Sequence, residues 1–135
     1  MSLRNEIENA LARYALAYDD GDMDGVERVF GETAVFTMKI GDGDLIGPLN
    51  GREEIMGLFR GAHESQTDQR RHITTNLLID EIDEKNVRTV SYLLITSAEN
   101  GALRALSTGK YEDEWTRSGG DWVLTKRHIA LDLPY

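Results

Sequence analysis

From Arg71 onward the chain consists of four extended runs, His72 to Ile79, Val87 to Ser97, Leu103 to Trp115 and Trp122 to Leu133. Only the turn-like segments Asp83-Glu-Lys-Asn86, Glu99-Asn-Gly101 and Ser118-Gly-Gly-Asp121 separate them. Connections this short cannot carry a strand across a sheet to lie parallel to its predecessor, so the four runs must form an antiparallel meander. Whatever precedes them has to cover one face of that sheet.

The first part of the chain supplies the cover. Leu3, Ile7, Leu11, Tyr14 and Tyr18 recur at helical spacing among charged residues, and Gly21 ends the pattern. Asp22 is placed to cap a short second helix with Val26, Val29 and Phe30 as apolar positions and Gly31 as its stop. Ala34 to Ile40 reads as a strand, Gly41 to Asp44 as a turn, and a second short strand is expected to end near Ile46. A third helix runs from Gly51 to Arg60 through Ile55, Leu58 and Phe59, followed by a polar loop from His63 to Gln69. The expected fold is a single α+β domain over residues 1–135, with three helices segregated to one face of a strongly curved antiparallel sheet.

Composition removes several classes of function. A net charge of −9 repels phosphate backbones and anionic lipid, so neither nucleic acid nor a membrane surface is an expected partner. With no cysteine, thiolate catalysis and thiolate metal sites are excluded. The N-terminal stretch MSLRNEIENALARY carries charges throughout, and no apolar run reaches the roughly 18 residues of a membrane span, so a cytoplasmic protein is expected. Asp20-Gly-Asp-Met-Asp-Gly25 imitates the opening of a calcium loop, but Gly31 stands where a bidentate Glu is required and Glu27 where an apolar residue is normal. The three histidines, His63, His72 and His128, have no metal-ligand spacing, so no metal site is expected.

Four polar residues stand out of place. Asp19 extends the row Leu11, Ala15, Asp19 off the first helix, at the end where a carboxylate meets the negative pole of the helix dipole; the plain alternative is a solvated turn residue. Tyr14 lies on the buried stripe, where a core aromatic with one hydrogen bond is the ordinary role. His72 opens a strand face that continues through Thr74 and Asn76 and is polar throughout, so it faces water or a wet cavity. It is either a satisfied structural histidine or a proton-transfer group. Arg127 shares a strand face with Val123, Thr125, Ile129 and Leu131, and burial there requires a carboxylate or a ligand beside it.

The stretches Tyr14-Ala-Leu-Ala-Tyr-Asp19, Gly21-Asp-Met-Asp-Gly-Val-Glu-Arg-Val-Phe30, His72-Ile-Thr-Thr-Asn76 and Trp122-Val-Leu-Thr-Lys-Arg127 together resemble the SnoaL-like branch of the nuclear transport factor 2-like superfamily. The resemblance implies a cone-shaped barrel of bent antiparallel sheet closed by three helices. Within the superfamily the pattern is most similar to scytalone dehydratase, bile acid 7α-dehydratase and hexachlorocyclohexane dehydrochlorinase, cofactor-free eliminating enzymes with a His-Asp dyad in an apolar pocket. Carried over motif by motif, His72 falls on the dyad His, Asp19 on the dyad Asp, Tyr14 on the phenol of the dehydratases and Arg127 on the pocket Arg. Phe36, Tyr92, Tyr111 and Trp115 are candidates for the pocket wall, with core packing as their alternative role.

The implied function is a lyase acting on a small hydrophobic hydroxy-carbonyl, polyketide-like or cyclic molecule. The alternatives are a polyketide cyclase or double-bond isomerase using the same base, and a non-catalytic binding module such as a ring-hydroxylating dioxygenase small subunit. The resemblance also implies a homo-oligomer, a dimer or trimer. Because several relatives carry a further C-terminal segment over the cavity mouth, the mouth is expected to be open or closed by a neighbouring subunit.

Overall fold

The computed structural model describes residues 2–135. Ser2 starts α1, Leu3–Asp19, its Oγ accepting from the Asn5 backbone N–H at 3.2 Å and so satisfying a donor that a helix start leaves free. The stripe Ile7, Leu11, Tyr14, Ala15 and Tyr18 is buried, as its spacing requires. Gly21, at φ 75°, reverses the chain in a conformation that glycine adopts without steric cost. Asp22 then caps α2, Met23–Val29, accepting from the Gly25 N–H at 3.0 Å. The acidic run is thus a turn and a helix cap.

The remaining elements are β1 (Phe30–Ile40), β2 (Ile46–Asn50), α3 (Arg52–Glu64), β3 (Gln69–Glu81), β4 (Asn86–Glu99), β5 (Ala102–Ser118) and β6 (Asp121–Leu131). Three boundaries differ from the sequence reading. Phe30 opens β1 with an extended backbone instead of ending α2. The hairpin register pairs Met38 with Ile46, so β2 begins where it was expected to end. The α3 pattern continues through the last turn to Glu64 and takes in His63, which was expected in the loop.

The six strands form one curved sheet in the order β2-β1-β6-β5-β4-β3. The meander from β3 to β6 is antiparallel as expected, but β1 lies parallel to β6, so the sheet is mixed. The expectation of a purely antiparallel sheet came from the short connections after Arg71. Between β1 and β6 lies most of the chain, which gives ample length for the crossover that a parallel pair needs.

Two irregularities decide which side chains face inward. In β3 the register slips between Thr75 and Leu78, with Asn76 at φ 57°. The slip ends the polar face after Thr74 and lets Leu77 and Ile79 pack on the core. In β6 the slip lies opposite Glu114 and Trp115, so Trp122 and Leu124 are buried together with Arg127, Ile129 and Leu131. A strict period of two places Trp122 and Leu124 on the face opposite Arg127; the bulge near Thr125 reverses the parity.

The helices cover the concave face. Glu6 ties α1 to the far end of the sheet, accepting from Trp122 Nε1 at 2.7 Å and from Arg117 Nη2 at 2.8 Å. The Trp122 bond first, then the Arg117 bond, hold its carboxyl below the ordinary value. A carboxyl depressed in the folded state adds stability above its unfolded pKa of about 4.3, and that stability is lost as pH falls through the lower folded value. Glu6→Gln is therefore expected to flatten the acid limb of a stability-against-pH curve, and superimposable curves would contradict this.

Gly109 in β5 lies where a Cβ would stand 2.4 Å from the Ala130 carbonyl oxygen and 3.0 Å from Leu131 Cα, both backbone atoms of β6. Gly109→Ala is expected to destabilise the fold by about 1–3 kcal/mol through overpacking, read from denaturant unfolding.

Candidate active site

Asp19, the last residue of α1, reaches the free edge of the sheet at β3. Its Oδ2 accepts from the His72 backbone N–H at 3.0 Å and its Oδ1 meets His72 Nδ1 at 2.6 Å. Both side chains are 5% exposed. A carboxylate only accepts, so the bond assigns the proton to Nδ1 and leaves the Nε2 lone pair free. Gln69 Nε2 donates to the Asp19 carbonyl at 3.0 Å, holding the helix end against the same strand. The Tyr18 ring is stacked on the imidazole, centroids 4.8 Å apart and planes 23° from parallel. The ring is thus fixed along its Nδ1 edge by Asp19 and across its face by Tyr18.

His72 separates two concavities. Inside the fold is a cavity of about 80 Å³, lined by Tyr14, Tyr18, Phe36, Phe59, His72, Tyr111 and Tyr135 among others. Outside, between α1 and the edge of β3, is a groove of about 630 Å³, lined by Leu11, Ala15, Leu16, Asp19, His72, Ile73 and Leu77 among others. Asp19 borders only the groove, whereas His72 borders both. The imidazole, held at Nδ1 by Asp19, thus has a place in the lining of both spaces.

Tyrosines dominate the cavity. Tyr14 packs edge-on against Phe30, Phe59 and Tyr111, and 6.0 Å from Tyr18. Burial, first of all, raises the Tyr14, Tyr18 and Tyr111 phenols well above the ordinary tyrosine value, and their mutual proximity adds to the rise for Tyr14 and Tyr18. All three keep their protons at neutral pH and can donate to an oxygen placed between them.

Arg127 lies behind this wall. It is fully buried, with Nε and Nη2 each donating to Asp113 at 2.9 Å. Asp113 and Arg127 face each other across the β5–β6 ladder, which makes the two-bond contact possible. The guanidinium carbon sits 3.7 Å from the Tyr111 ring centroid and 4.6 Å from that of Tyr14. Burial alone would lower the Arg127 pKa; the Asp113 carboxylate reverses this and the net shift is upward. Nη1 has no hydrogen-bond partner among the described residues.

The four out-of-place residues are thus brought together unequally. Tyr14 and His72 line the cavity, Asp19 backs His72, and Arg127 supports Tyr14 and Tyr111 from behind without reaching the lining. Of the expected wall, Phe36 and Tyr111 line the cavity. Tyr92 does not: the inward face of β4 is Thr89, Ser91, Leu93 and Ile95, and the even positions point outward, leaving Tyr92 53% exposed. Trp115 is buried deeper, its indole N–H donating to Thr89 Oγ1 at 2.9 Å, away from the cavity. Tyr18, Phe59 and Tyr135 were not singled out from the sequence. The signal for Tyr18 was present, four residues after Tyr14 on the same stripe and adjacent to Asp19. Among the described residues no group of three or more His, Asp and Glu side chains is placed to hold a metal ion, and no helix is long and apolar enough to cross a membrane.

Removing one partner of a buried ion pair strands the other charge. Arg127→Met is expected to cost about 3–5 kcal/mol, and the double variant Asp113→Leu/Arg127→Met much less. Equal losses in the two proteins, measured by urea unfolding, would contradict a paired role.

With this geometry the chain can be set beside known proteins. A search of curated proteins found no match. Among solved structures, a Catenulispora acidiphila protein in complex with S-DNPA is 27% identical, covering 96% of this chain and 92% of that one at a TM-score of 0.82. A Novosphingobium aromaticivorans chain assigned as the beta subunit of an aromatic-ring-hydroxylating dioxygenase is 19% identical, with 97% and 90% coverage and a TM-score of 0.83. ActVI-ORFA from Streptomyces coelicolor is 20% identical, with 97% and 98% coverage and a TM-score of 0.81. The last two likenesses concern the fold. The family model described as SnoaL-like domain matches residues 1–128, and the chain belongs to that family.

Proposed function

We propose that the chain is an acid–base enzyme of the elimination type, a lyase that removes water or a comparable leaving group from a small hydrophobic hydroxy-carbonyl, polyketide-like or cyclic substrate. The observation that carries this reading is the Asp19–His72 pair, sealed from solvent, with one imidazole nitrogen engaged at 2.6 Å and the histidine itself in the lining of a cavity. His72 Nε2 takes a proton from the carbon beside the carbonyl, and the imidazolium returns that proton to the hydroxyl on the next carbon as its C–O bond breaks, so that the group leaves as water. Asp19 holds the tautomer and stabilises the imidazolium that forms. Tyr14, with Tyr111 beside it, donates to the oxygen on which negative charge develops. Arg127 acts through these two tyrosines, by position and by field.

The steps assigned to these residues draw on no metal or cofactor. The same first step serves a cyclase or an isomerase, and the substrate decides the fate of the enolate. The relative seen with S-DNPA supports a small-molecule ligand for this chain.

One observation favours a second, non-catalytic reading: a cavity of about 80 Å³ is well below the roughly 300 Å³ at which ordinary ligand pockets begin. In that reading the dyad is a polar clamp between α1 and the sheet, and the chain is a binding or assembly module like a dioxygenase small subunit. Self-association belongs to both readings. Ile73, Leu78 and Tyr92 are exposed on one outer face of β3 and β4, suited to a second copy of the chain.

Hydroxy-ketones and polyketide-like phenols offered to the protein should yield products lighter by one water, detected by mass spectrometry. His72→Ala should lower the rate by about 10²–10⁴-fold and Tyr14→Phe by less. Turnover unaffected by His72→Ala would remove the assignment. Light scattering should give a dimer or trimer mass, and a monomer mass would contradict self-association.

A further inference from the structure

The chain beyond β6 stays fastened to β5. The Asp132 backbone N–H donates to the Thr108 carbonyl at 2.8 Å, and the Asp132 carboxylate accepts from Thr108 Oγ1 at 2.6 Å. One residue on, the buried Ser107 hydroxyl donates to the Leu133 carbonyl at 2.6 Å and accepts from the Leu133 N–H at 3.3 Å. Pro134 follows with one backbone angle fixed by its ring. The next side chain, Tyr135, is delivered to the cavity, with the Arg70 guanidinium over its ring at 5.1 Å from the centroid.

Tyr135 is the fourth phenol of the lining, and it stands apart from the others in depth. Tyr14 and Tyr111 are buried with Arg127 behind them, whereas Tyr135 is 48% exposed. The cavity therefore has a deep end at Tyr14 and Tyr111 and an outer end at Tyr135. His72 is tied to both. The Tyr18 ring stacked on the imidazole is 6.0 Å from that of Tyr14, and Arg70, which holds Tyr135, shares a face of β3 with His72, their Cα atoms roughly 6.5–7 Å apart. Burial raises the Tyr135 phenol above its ordinary value, with Arg70 opposing the rise, so the hydroxyl is a donor at neutral pH.

Elimination of water from a hydroxy-carbonyl develops charge on two oxygens in turn. The carbonyl oxygen gains it when the neighbouring carbon loses its proton, and the hydroxyl oxygen gains it when its C–O bond breaks. Tyr14 and Tyr111, side by side at the deep end, serve the first. Only His72 attends the second.

We infer that Tyr135 is a further catalytic residue, the hydrogen-bond donor that holds the leaving hydroxyl at the outer end of the cavity. Its phenol donates to the hydroxyl oxygen and keeps its own proton. The His72 imidazolium supplies the proton, the C–O bond breaks, the electron pair of the enolate becomes the new C=C bond, and water leaves with the imidazole neutral again. The inference rests on the lyase reading of this cavity and adds the orientation of the substrate, carbonyl inward and hydroxyl outward.

Two reactions that share a first step test it. Exchange of the protons beside the carbonyl of 2-indanone in D2O has no leaving group, whereas dehydration of 3-hydroxy-1-indanone to 1-indenone, followed by absorbance, has one. Tyr135→Phe keeps the ring under Arg70 and removes only the hydroxyl. It is expected to lower kcat for dehydration by roughly 10- to 100-fold and exchange by far less, while Tyr14→Phe lowers both together. Dehydration at the wild-type rate in Tyr135→Phe, or equal losses in the two reactions, overturns the assignment. Wild-type protein that accelerates exchange but not dehydration overturns it as well and leaves His72 as a base. Acceleration of neither reaction removes the lyase reading and this inference with it.

Discussion

The contact on which most of the structure turns is the Asp19 carboxylate gripping both the backbone N–H and the ring Nδ1 of His72. One side chain at the end of a helix binds the free edge of the sheet at β3 and fixes an imidazole that lines the cavity. In water such a contact would be worth little. Here both partners are nearly sealed, and a charge-assisted bond in a medium of low dielectric constant is correspondingly strong. Placing an acid at the negative end of α1 costs a few tenths of a kcal/mol to about 1 kcal/mol, which the bonds to β3 offset.

The second buried charge explains how the cavity keeps its shape. Arg127 and Asp113 lie within the sheet's inner layer and pair across one rung of the β5–β6 ladder. Two tyrosine rings rest on the guanidinium. The arrangement turns a cation that would otherwise demand water into a platform for Tyr14 and Tyr111, the two donors nearest the proposed reaction. The cavity is then lined by phenols that burial keeps protonated, with one imidazole as its acceptor. An enclosure rich in donors with a single base suits an intermediate that is an oxyanion.

Much of this is legible in the sequence. Short turns after Arg71 require the antiparallel meander, the stripe on α1 determines which face of that helix is buried, and the misplaced polarity of Asp19 and His72 singles both out, while only the family resemblance pairs them. The features that escape the sequence have a common cause. A period of two predicts strand faces only while the ladder is regular, and the slips at Asn76 and near Thr125 exchange the faces downstream of them. Hence the pattern assigns Trp122 and Leu124 to the wrong side, and the polar face of β3 ends sooner than His72, Thr74 and Asn76 suggest. Tyr92 is misplaced for a simpler reason, since an aromatic on a strand does not reveal which face is inward. Parallel pairing of β1 with β6 and the placement of Tyr135 at the cavity depend on contacts between distant segments, which no local pattern encodes.

The central claim is that His72 is a base poised by Asp19, and it can be tested without knowing the substrate. In D2O, 2-indanone exchanges the protons beside its carbonyl, and NMR records the loss of their signal. The wild-type chain should accelerate that exchange above the buffer rate, with the acceleration reduced by about 10²–10⁴-fold in His72→Ala and substantially in Asp19→Asn. Equal exchange in the wild-type chain and His72→Ala, with both proteins folded, would contradict the account and leave the dyad as a clamp between helix and sheet.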